Sequence, residues 1–199
     1  SKYNGIDRGL LASIFNAISF SAVLILLPII ARSISSINYE GALSLFTYAY
    51  RINELPMALI VGSIVTVMLP TISSAYLNKS KDDLRGIIVI SLRVTIFICI
   101  GISIPVAIYA HQITELIFLS TNLTTTDISL ISSMIAISFM FLPFRALLVL
   151  LFPIASSINA TNKIGIVSII ILTTLISSSF ILSNKFGLSG AMFAYGIAN

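Results

Sequence analysis

Residues 41–70 read GALSLFTYAYRINELPMALIVGSIVTVMLP and place two charged side chains inside an apolar stretch long enough to cross a membrane. Arg51 and Glu54 lie near its middle, and Pro56 follows them. An ionised side chain at bilayer depth costs roughly 2.5 to more than 10 kcal/mol, so such residues usually face a protein interior or a water-filled cavity. Arg51 and Glu54 are therefore the first candidates for a functional role.

The composition of the whole chain is that of an integral membrane protein. Of its 199 residues, 57% are hydrophobic and 9% are charged, with a mean hydropathy of +1.07, whereas an average globular chain is about 25% charged. The apolar runs are long enough for helices and lack the period-two alternation of a membrane barrel. The predicted fold is therefore all-α, a polytopic transmembrane helix bundle. The net charge of +4 is scattered and gives no case for nucleic acid.

The residues of catalytic and metal sites are scarce in this sequence. Cys99 is the only cysteine and His111 the only histidine, so neither a disulfide framework nor a recognisable zinc site can be built. The sequence also lacks a nucleophile–base set and a phosphate-binding glycine loop. We therefore expect no enzyme activity, no metal and no cofactor, apart from a coupling cation of unknown identity.

The apolar segments predict five full spans and the start of a sixth. Their approximate bounds are 10–31, 41–76, 87–109, 128–156 and 164–183, with the sixth beginning at 187. The second is longer than an untilted crossing needs, so we expect it to be tilted or kinked. Glycines in the sixth predict tight helix contact, at Gly187, Gly190 and Gly196.

Two short polar stretches surround the start of the fourth span. HQITELIFLS, residues 111–120, is too short to cross a bilayer and is expected to form a helical turn or two at the membrane interface. TNLTTTDIS, residues 121–129, offers hydroxyl and carboxylate side chains as helix N-caps. The fourth helix is therefore predicted to begin close to Ile128.

The second span carries a stripe of polar and small side chains on one helical face. The members are spaced by three or four residues, as neighbours on a helix are: Ser44, Thr47, Arg51, Glu54, Ala58 and Gly62. One interpretation is that this face lines a cavity. The alternative is that Arg51 and Glu54 neutralise each other at i,i+3 and serve only packing.

Two further arginines lie within apolar segments. Arg145 shares a helical face with Ser138, Phe141, Phe152 and Ser156, and its depth makes simple snorkelling difficult. It is a third cavity candidate, with a structural role equally open. Arg93 is only about two turns from a polar loop, so snorkelling is favoured over a cavity role.

Basic residues in alternate loops predict the orientation of the chain. One side holds Lys2, Arg8, Lys79, Lys81, Arg85 and Lys163, and the other holds Arg32 and Lys185. The positive-inside bias places the first residues and the 77–86 loop in the cytoplasm. Residues 1–199 are expected to form a single membrane domain, and the absence of an initiator methionine together with the apolar C-terminus indicates a piece of a longer protein.

The run YAYRINELPMALIVGSIVTVMLPTIS, residues 48–73, resembles a segment of the lipid II flippase family, MurJ or MviN, within the multidrug, oligosaccharidyl-lipid and polysaccharide exporter superfamily. The shared pattern is an arginine, a Leu-Pro step, a glycine-containing apolar turn and a second Leu-Pro before serines. An acidic residue commonly precedes the arginine in that family, and Tyr50 stands there in this chain. The resemblance implies the C-terminal lobe, helices seven to twelve, of a two-lobe transporter.

What the resemblance implies is a flippase of the bacterial cytoplasmic membrane that moves lipid II, a peptidoglycan precursor, by alternating access for cell wall biogenesis and cell shape. Arg51 and Arg145 would pair with the pyrophosphate of the lipid carrier. Glu54 would hold Arg51 when substrate is absent or bind a coupling cation. Bends for helix rocking would come from prolines at four positions, Pro56, Pro70, Pro143 and Pro153.

The partners expected from this resemblance are the lipid-linked precursor, membrane lipids and the N-terminal lobe of the same protein. Similar Tyr-Arg and Leu-Pro patterns occur in related exporters, so a polysaccharide or O-antigen oligosaccharide flippase and a cation-coupled antiporter remain alternatives. A non-transporting membrane scaffold is an alternative of a different class. A membrane-embedded enzyme is disfavoured because no His or carboxylate cluster is present.

Overall fold

The computed structural model describes residues 8–35, 41–78, 81–157 and 162–198, and this part of the chain contains helices and short connections without strands. The elements in chain order are α1 (Arg8–Ser35), α2 (Ala42–Pro56), a π-helical segment (Met57–Val61), α3 (Gly62–Leu77), α4 (Lys81–Ile108), α5 (Ala110–Ile117), α6 (Thr125–Met140), α7 (Leu142–Ser157) and α8 (Asn162–Ala198). The predicted all-α fold is confirmed. Residues 36–40 and 158–161, between predicted spans, and the first seven residues lie outside the described ranges.

Several helices have the length and composition of membrane spans. Within the described ranges, three qualify singly, Ala42–Leu77, Asp82–Ile108 and Val167–Ala198, and the bent pair of α6 and α7 makes a fourth if counted as one span. The predicted first span lies within α1, which packs mainly along α8, while α2 packs along α6 and α4 along α7. The polytopic helix bundle is therefore confirmed.

The second predicted span is one long helical unit with a π-helical interruption. A left-handed glycine, Gly41 with φ 83°, precedes α2, and the wider π turn begins directly after Pro56. Because proline has no N–H, the carbonyl of Ile52 loses its usual helical donor, which favours a local change of winding. The buried face of this unit carries mainly apolar and small residues, Ala42, Leu45, Phe46, Ala49, Asn53, Met57 and Val61.

The predicted polar stripe lies on the other side of that helix. Ser44, Arg51 and Ala58 are exposed, while Thr47 is half-buried and donates its hydroxyl to the Leu43 carbonyl at 2.6 Å. The apolar residues at Leu45, Phe46 and Ala49 turn instead toward the other described helices, as hydrophobic burial requires. The part of the stripe that holds Ser44, Arg51 and Ala58 is therefore left exposed by the described residues, whereas Glu54 is only partly exposed.

The prediction of a single fourth helix over residues 128–156 was wrong. The structure divides this segment into α6 and α7, which are bent by 51°. Pro143 follows the break by two residues and cannot donate to the carbonyl of Phe139, so the helical ladder is interrupted there. The predicted N-cap is confirmed, because the Thr124 hydroxyl accepts from the Asp127 N–H and the Asp127 carboxylate accepts from the Thr124 N–H.

The α8 helix folds back at Gly187, where the fifth and sixth segments were predicted to meet. Gly187 adopts φ 58° and ψ −136°, outside the helical region. A Cβ on Gly190 would overlap the backbone carbonyl of Leu182, although residues eight apart in a straight helix are separated by about 12 Å. The residues after Gly187 are called here the C-terminal arm of α8. The predicted tight contact holds at Gly190 and also at Gly196, where a Cβ would overlap the ring of Phe141, but not at Gly187, where a Cβ would meet nothing within 4 Å.

Candidate functional site

Arg145 lies in the first turn of α7 and makes two side-chain hydrogen bonds to α2. Its Nη1 donates to Asn53 Oδ1 at 2.8 Å, and its Nη2 donates to Glu54 Oε1 in an ion pair. The side chain of Arg145 is only 12% exposed, whereas that of Glu54 is 38% exposed. Two adjacent residues of α2 therefore satisfy the forked donor geometry of one guanidinium.

Two tyrosine rings hold the same guanidinium. The Arg145 Cζ lies 5.5 Å from the centroid of the Tyr50 ring and 5.5 Å from that of Tyr195. The rings meet edge to face, with centroids 5.9 Å apart and planes at 74°. A cation within about 6 Å of an aromatic face is attracted by the ring quadrupole, and more strongly when desolvated. The five residues Tyr50, Asn53, Glu54, Arg145 and Tyr195 are called the Arg145 cluster below.

The Arg145 cluster joins three helices that are distant in sequence. Tyr50, Asn53 and Glu54 come from α2, Arg145 from α7 and Tyr195 from the C-terminal arm of α8. Tyr195 is buried against Phe46, with ring centroids 6.4 Å apart. The fold at Gly187 is what returns this arm to the bundle, so the cluster depends on the backbone of α8 as well as on its side chains.

Arg51 stands apart from this cluster. Its side chain is exposed, and within the described ranges it makes neither an ion pair nor a side-chain hydrogen bond. The structure thus gives Glu54 a different partner from Arg51, which the sequence analysis offered as one alternative, because the carboxylate pairs with Arg145 across the helix interface. Of the three charged candidates, the structure brings Glu54 and Arg145 together and leaves Arg51 uncompensated.

Asn53, Tyr50 and Tyr195 are members of the cluster that sequence reasoning missed as site residues. Asn53 is 2% exposed, and its Nδ2 has no hydrogen-bond partner among the described residues. An amide at membrane depth beside Glu54 was a signal that could have identified it. Tyr195 offered no such signal, because its position depends on the fold of α8.

A groove of about 480 Å³ runs from the ion pair along the π-helical segment. Glu54 and Arg145 form its polar end, and the remaining lining is apolar: Met57, Ala58, Val61, Gly62, Val65, Val149, Phe152 and Pro153. Apolar walls with a few polar groups at one end are typical of sites for amphiphilic molecules.

The four predicted hinge prolines have different surroundings. Pro56 directly precedes the π-helical segment, and Pro143 follows the 51° bend between α6 and α7. Pro153 lines the groove. Pro70 lies inside α3, which continues without a break to Leu77. Irregular backbone therefore accompanies two of the four.

The other candidate side chains lie away from the cluster. Cys99 is a buried free thiol in α4. On α5, Nε2 of the exposed His111 lies 3.3 Å from Oε1 of Glu115. The predicted short helix at residues 111–120 corresponds to α5. In the described ranges, no group of three or more His, Cys, Asp or Glu side chains is placed to hold a metal ion.

Comparison with known proteins identifies the family. The profile of the family described as Lipid II flippase MurJ matches residues 4–199. A probable lipid II flippase MurJ of Bdellovibrio bacteriovorus is 26% identical over 159 residues, which cover 80% of this chain and 30% of that protein. A probable lipid II flippase MurJ of Rickettsia prowazekii is 30% identical over 149 residues, covering 73% of this chain and 29% of that protein.

A third relative, the lipid II flippase MurJ of Burkholderia cenocepacia, is 28% identical over 117 residues, covering 59% of this chain and 22% of that protein. The chain therefore matches less than a third of the length of each of these relatives. The family match, in contrast, extends over nearly all of the chain. The chain belongs to the MurJ family of lipid II flippases, which are membrane transporters.

Proposed function

We propose that this chain is one lobe, helices seven to twelve, of a flippase that moves lipid II across the bacterial cytoplasmic membrane. Membership of the MurJ family and the names of the relatives support the substrate. The observation that carries the proposal is the exposed Arg51 guanidinium, which lacks an ion-pair partner in the described ranges and lies on the uncovered face of a membrane-length helix.

The position of Arg51 makes an anionic ligand the simplest explanation for its charge. It lies nine residues from Ala42, so about 13 Å along a helix that is about 54 Å long. A cation at such depth is costly unless it faces water or meets an anion. The pyrophosphate of a lipid carrier supplies several acceptor oxygens, and a guanidinium can bind two of them at once. Arg51 is accordingly proposed as the pyrophosphate contact.

The helix interruptions beside the cluster support an alternating-access mechanism. The π-helical segment after Pro56 and the bend before Pro143 lie on the two helices that the Arg145–Glu54 pair joins. Small changes at such interruptions can redirect a whole helix. We propose that Pro56 and Pro143, with lesser contributions from Pro70 and Pro153, let the lobe rock while Arg51 stays at the substrate-facing surface.

The orientation and coupling belong to the same proposal. The basic residues predict a cytoplasmic position for the α3–α4 connection and for the start of α4, where Arg85 is exposed. Coupling to a cation is tested by measuring transport again after the cation gradient has been collapsed. Neither a covalent change to the substrate nor a bound cofactor is part of the proposed mechanism.

The test is movement of isotope-labelled lipid II across vesicles that contain the full-length protein. We expect the wild type to flip lipid II, Arg51→Gln to lose most of the activity, and Arg93→Gln to retain it. Arg93 is the matched control because it is also an exposed arginine within a membrane-length helix. Transport of another undecaprenyl-linked oligosaccharide without lipid II movement would show an exporter of different specificity. If Arg51→Gln fully restored growth to cells that lack the wild-type protein, a non-transporting scaffold would be favoured.

A further inference from the structure

The role of Arg145 is the feature that the proposed function leaves open. Its guanidinium is bonded to Asn53 and Glu54, lies over two tyrosine rings and is only 12% exposed. A ligand phosphate would have to displace these contacts before it could bind. The geometry therefore argues that Arg145 acts on other protein groups rather than on substrate.

Glu54 is the group on which Arg145 acts. It lies three residues after Arg51 on α2, and side chains at this spacing are neighbours on the helix surface. Its side chain is 38% exposed, so it is not locked inside the bundle by packing alone. Without Arg145, the nearest oppositely charged side chain on its own helix is that of Arg51.

The rest of the cluster holds Arg145 on the inner side of Glu54. Asn53 Oδ1 accepts from Nη1 of Arg145 and fixes the plane of the guanidinium. The rings of Tyr50 and Tyr195 both lie next to that guanidinium. Asn53 and Glu54 are adjacent, so the fork of Arg145 fits both acceptors only when Glu54 points toward α7. Among the described residues, the carboxylate accordingly forms an ion pair with Arg145 and none with Arg51.

We propose that Arg145 is a positioning residue for substrate binding: it captures Glu54 and so keeps Arg51 uncompensated at the substrate-facing surface. This inference rests on the proposed function, in which Arg51 binds the pyrophosphate. Glu54 is an intramolecular competitor of that pyrophosphate, and Arg145 suppresses the competition. The charge of Arg145 contributes to substrate binding because its ion pair with Glu54 keeps that carboxylate from pairing with Arg51.

A suppressor experiment tests this role in the full-length protein. Lipid II binding to nanodisc-embedded protein would be measured by native mass spectrometry for wild type, Arg145→Gln, Glu54→Gln and the double variant. We expect Arg145→Gln to weaken binding about five- to tenfold, the effect of one exposed ion pair or slightly more. The double variant should bind within about twofold of wild type. A double variant as weak as Arg145→Gln would show direct binding by Arg145 and overturn the inference.

A second readout needs no substrate and keeps the two proposals distinguishable. The thermal stability of Arg51→Gln, Glu54→Gln and their combination forms a double-mutant cycle. When Arg145 is present, we expect the changes in thermal midpoint caused by Arg51→Gln and Glu54→Gln to add, which means no coupling. When the cycle is repeated in Arg145→Gln, we expect them to depart from additivity by a few degrees. Absence of coupling in both backgrounds would overturn the inference. Failure of the wild type to bind lipid II would overturn the proposed function without changing this cycle.

Incomplete folding of Arg145→Gln is addressed by the choice of variants. Arg145→Lys retains the charge but lacks the fork that reaches two acceptors. We expect it to bind lipid II between wild type and Arg145→Gln, with partial Arg51–Glu54 coupling. Wild-type binding together with full coupling in Arg145→Lys would contradict the positioning role.

Discussion

Arg51 and Arg145 both lie within segments that the sequence predicts to span the membrane, yet their surroundings are opposite. Arg145 has an ion pair, an amide acceptor and two aromatic rings, all supplied by the protein. Arg51 is exposed and has no ion-pair or hydrogen-bond partner within the described part of the chain. The comparison teaches that a buried charge in such a helix is not by itself evidence of substrate contact, whereas the charge left without a protein partner is the stronger candidate.

The largest expected effect is the loss of lipid II affinity in Arg51→Gln. Hydrogen bonds to charged groups contribute about 1.5–3 kcal/mol, so we expect lipid II affinity to fall about 10- to 100-fold. The thermal stability should change little, because the side chain is exposed and has neither an ion pair nor a hydrogen bond among the described residues. Lipid II affinity and the thermal midpoint would be measured on the same preparation. A variant that is destabilised but binds lipid II as tightly as wild type would contradict the contrast between Arg51 and Arg145.

Arg145→Met should have the opposite profile, with a large effect on stability. Removing the guanidinium leaves Glu54 and the buried Asn53 amide without their partner, at a cost of about 3 kcal/mol. The measurement is the thermal midpoint in detergent, with Arg51→Gln as the matched control. A midpoint equal to that of wild type would show that the cluster contributes nothing to folding.

Gly190→Ala tests whether the fold of α8 supports the Arg145 cluster. The added methyl group would overlap the Leu182 carbonyl, and overpacking of this kind typically costs about 1–3 kcal/mol. Gly101→Ala is the control, because a Cβ there meets nothing within 4 Å. We expect only Gly190→Ala to lower the thermal midpoint. Equal behaviour of the two variants would mean that the C-terminal arm is not packed closely against the rest of α8.

The smallest expected effect separates the ring of Tyr195 from its hydroxyl. Tyr195→Leu removes one of the two aromatic faces under Arg145 and should cost about 1 kcal/mol beyond the change in packing. Tyr195→Phe keeps the face and should retain most of that contribution. If Tyr195→Phe and Tyr195→Leu lose equal stability, the hydroxyl rather than the cation–π contact holds the arm in place.

The regular elements could be predicted because their causes are local in sequence. Apolar run lengths gave the spans, the hydroxyl and carboxylate side chains of residues 121–129 gave the cap of α6, and the sixth segment was placed at Gly187, where α8 is interrupted. The division of the fourth span was missed, although Pro143 was noted as a bend. Proline reports that a helical ladder is weakened, but packing determines whether the axis turns by a few degrees or by 51°.

The partner of Glu54 could not be predicted in the same way. Arg51 is its sequence neighbour, whereas Arg145 is 91 residues away and reaches it only after α7 packs against α3 and the π-helical segment that follow α2. Tyr195 enters the cluster because of the backward fold at Gly187. Sequence reasoning thus identified the charged side chains but paired them by proximity along the helix, and tertiary packing selected a different pair.

The decisive measurement is an electron cryomicroscopy structure of the full-length protein with lipid II bound in a nanodisc. We predict pyrophosphate oxygens within about 2.7–2.9 Å of the Arg51 guanidinium nitrogens, with Arg145 still paired to Glu54 between Tyr50 and Tyr195. A pyrophosphate bound to Arg145, with Glu54 released toward Arg51, would contradict the division of roles between the two arginines.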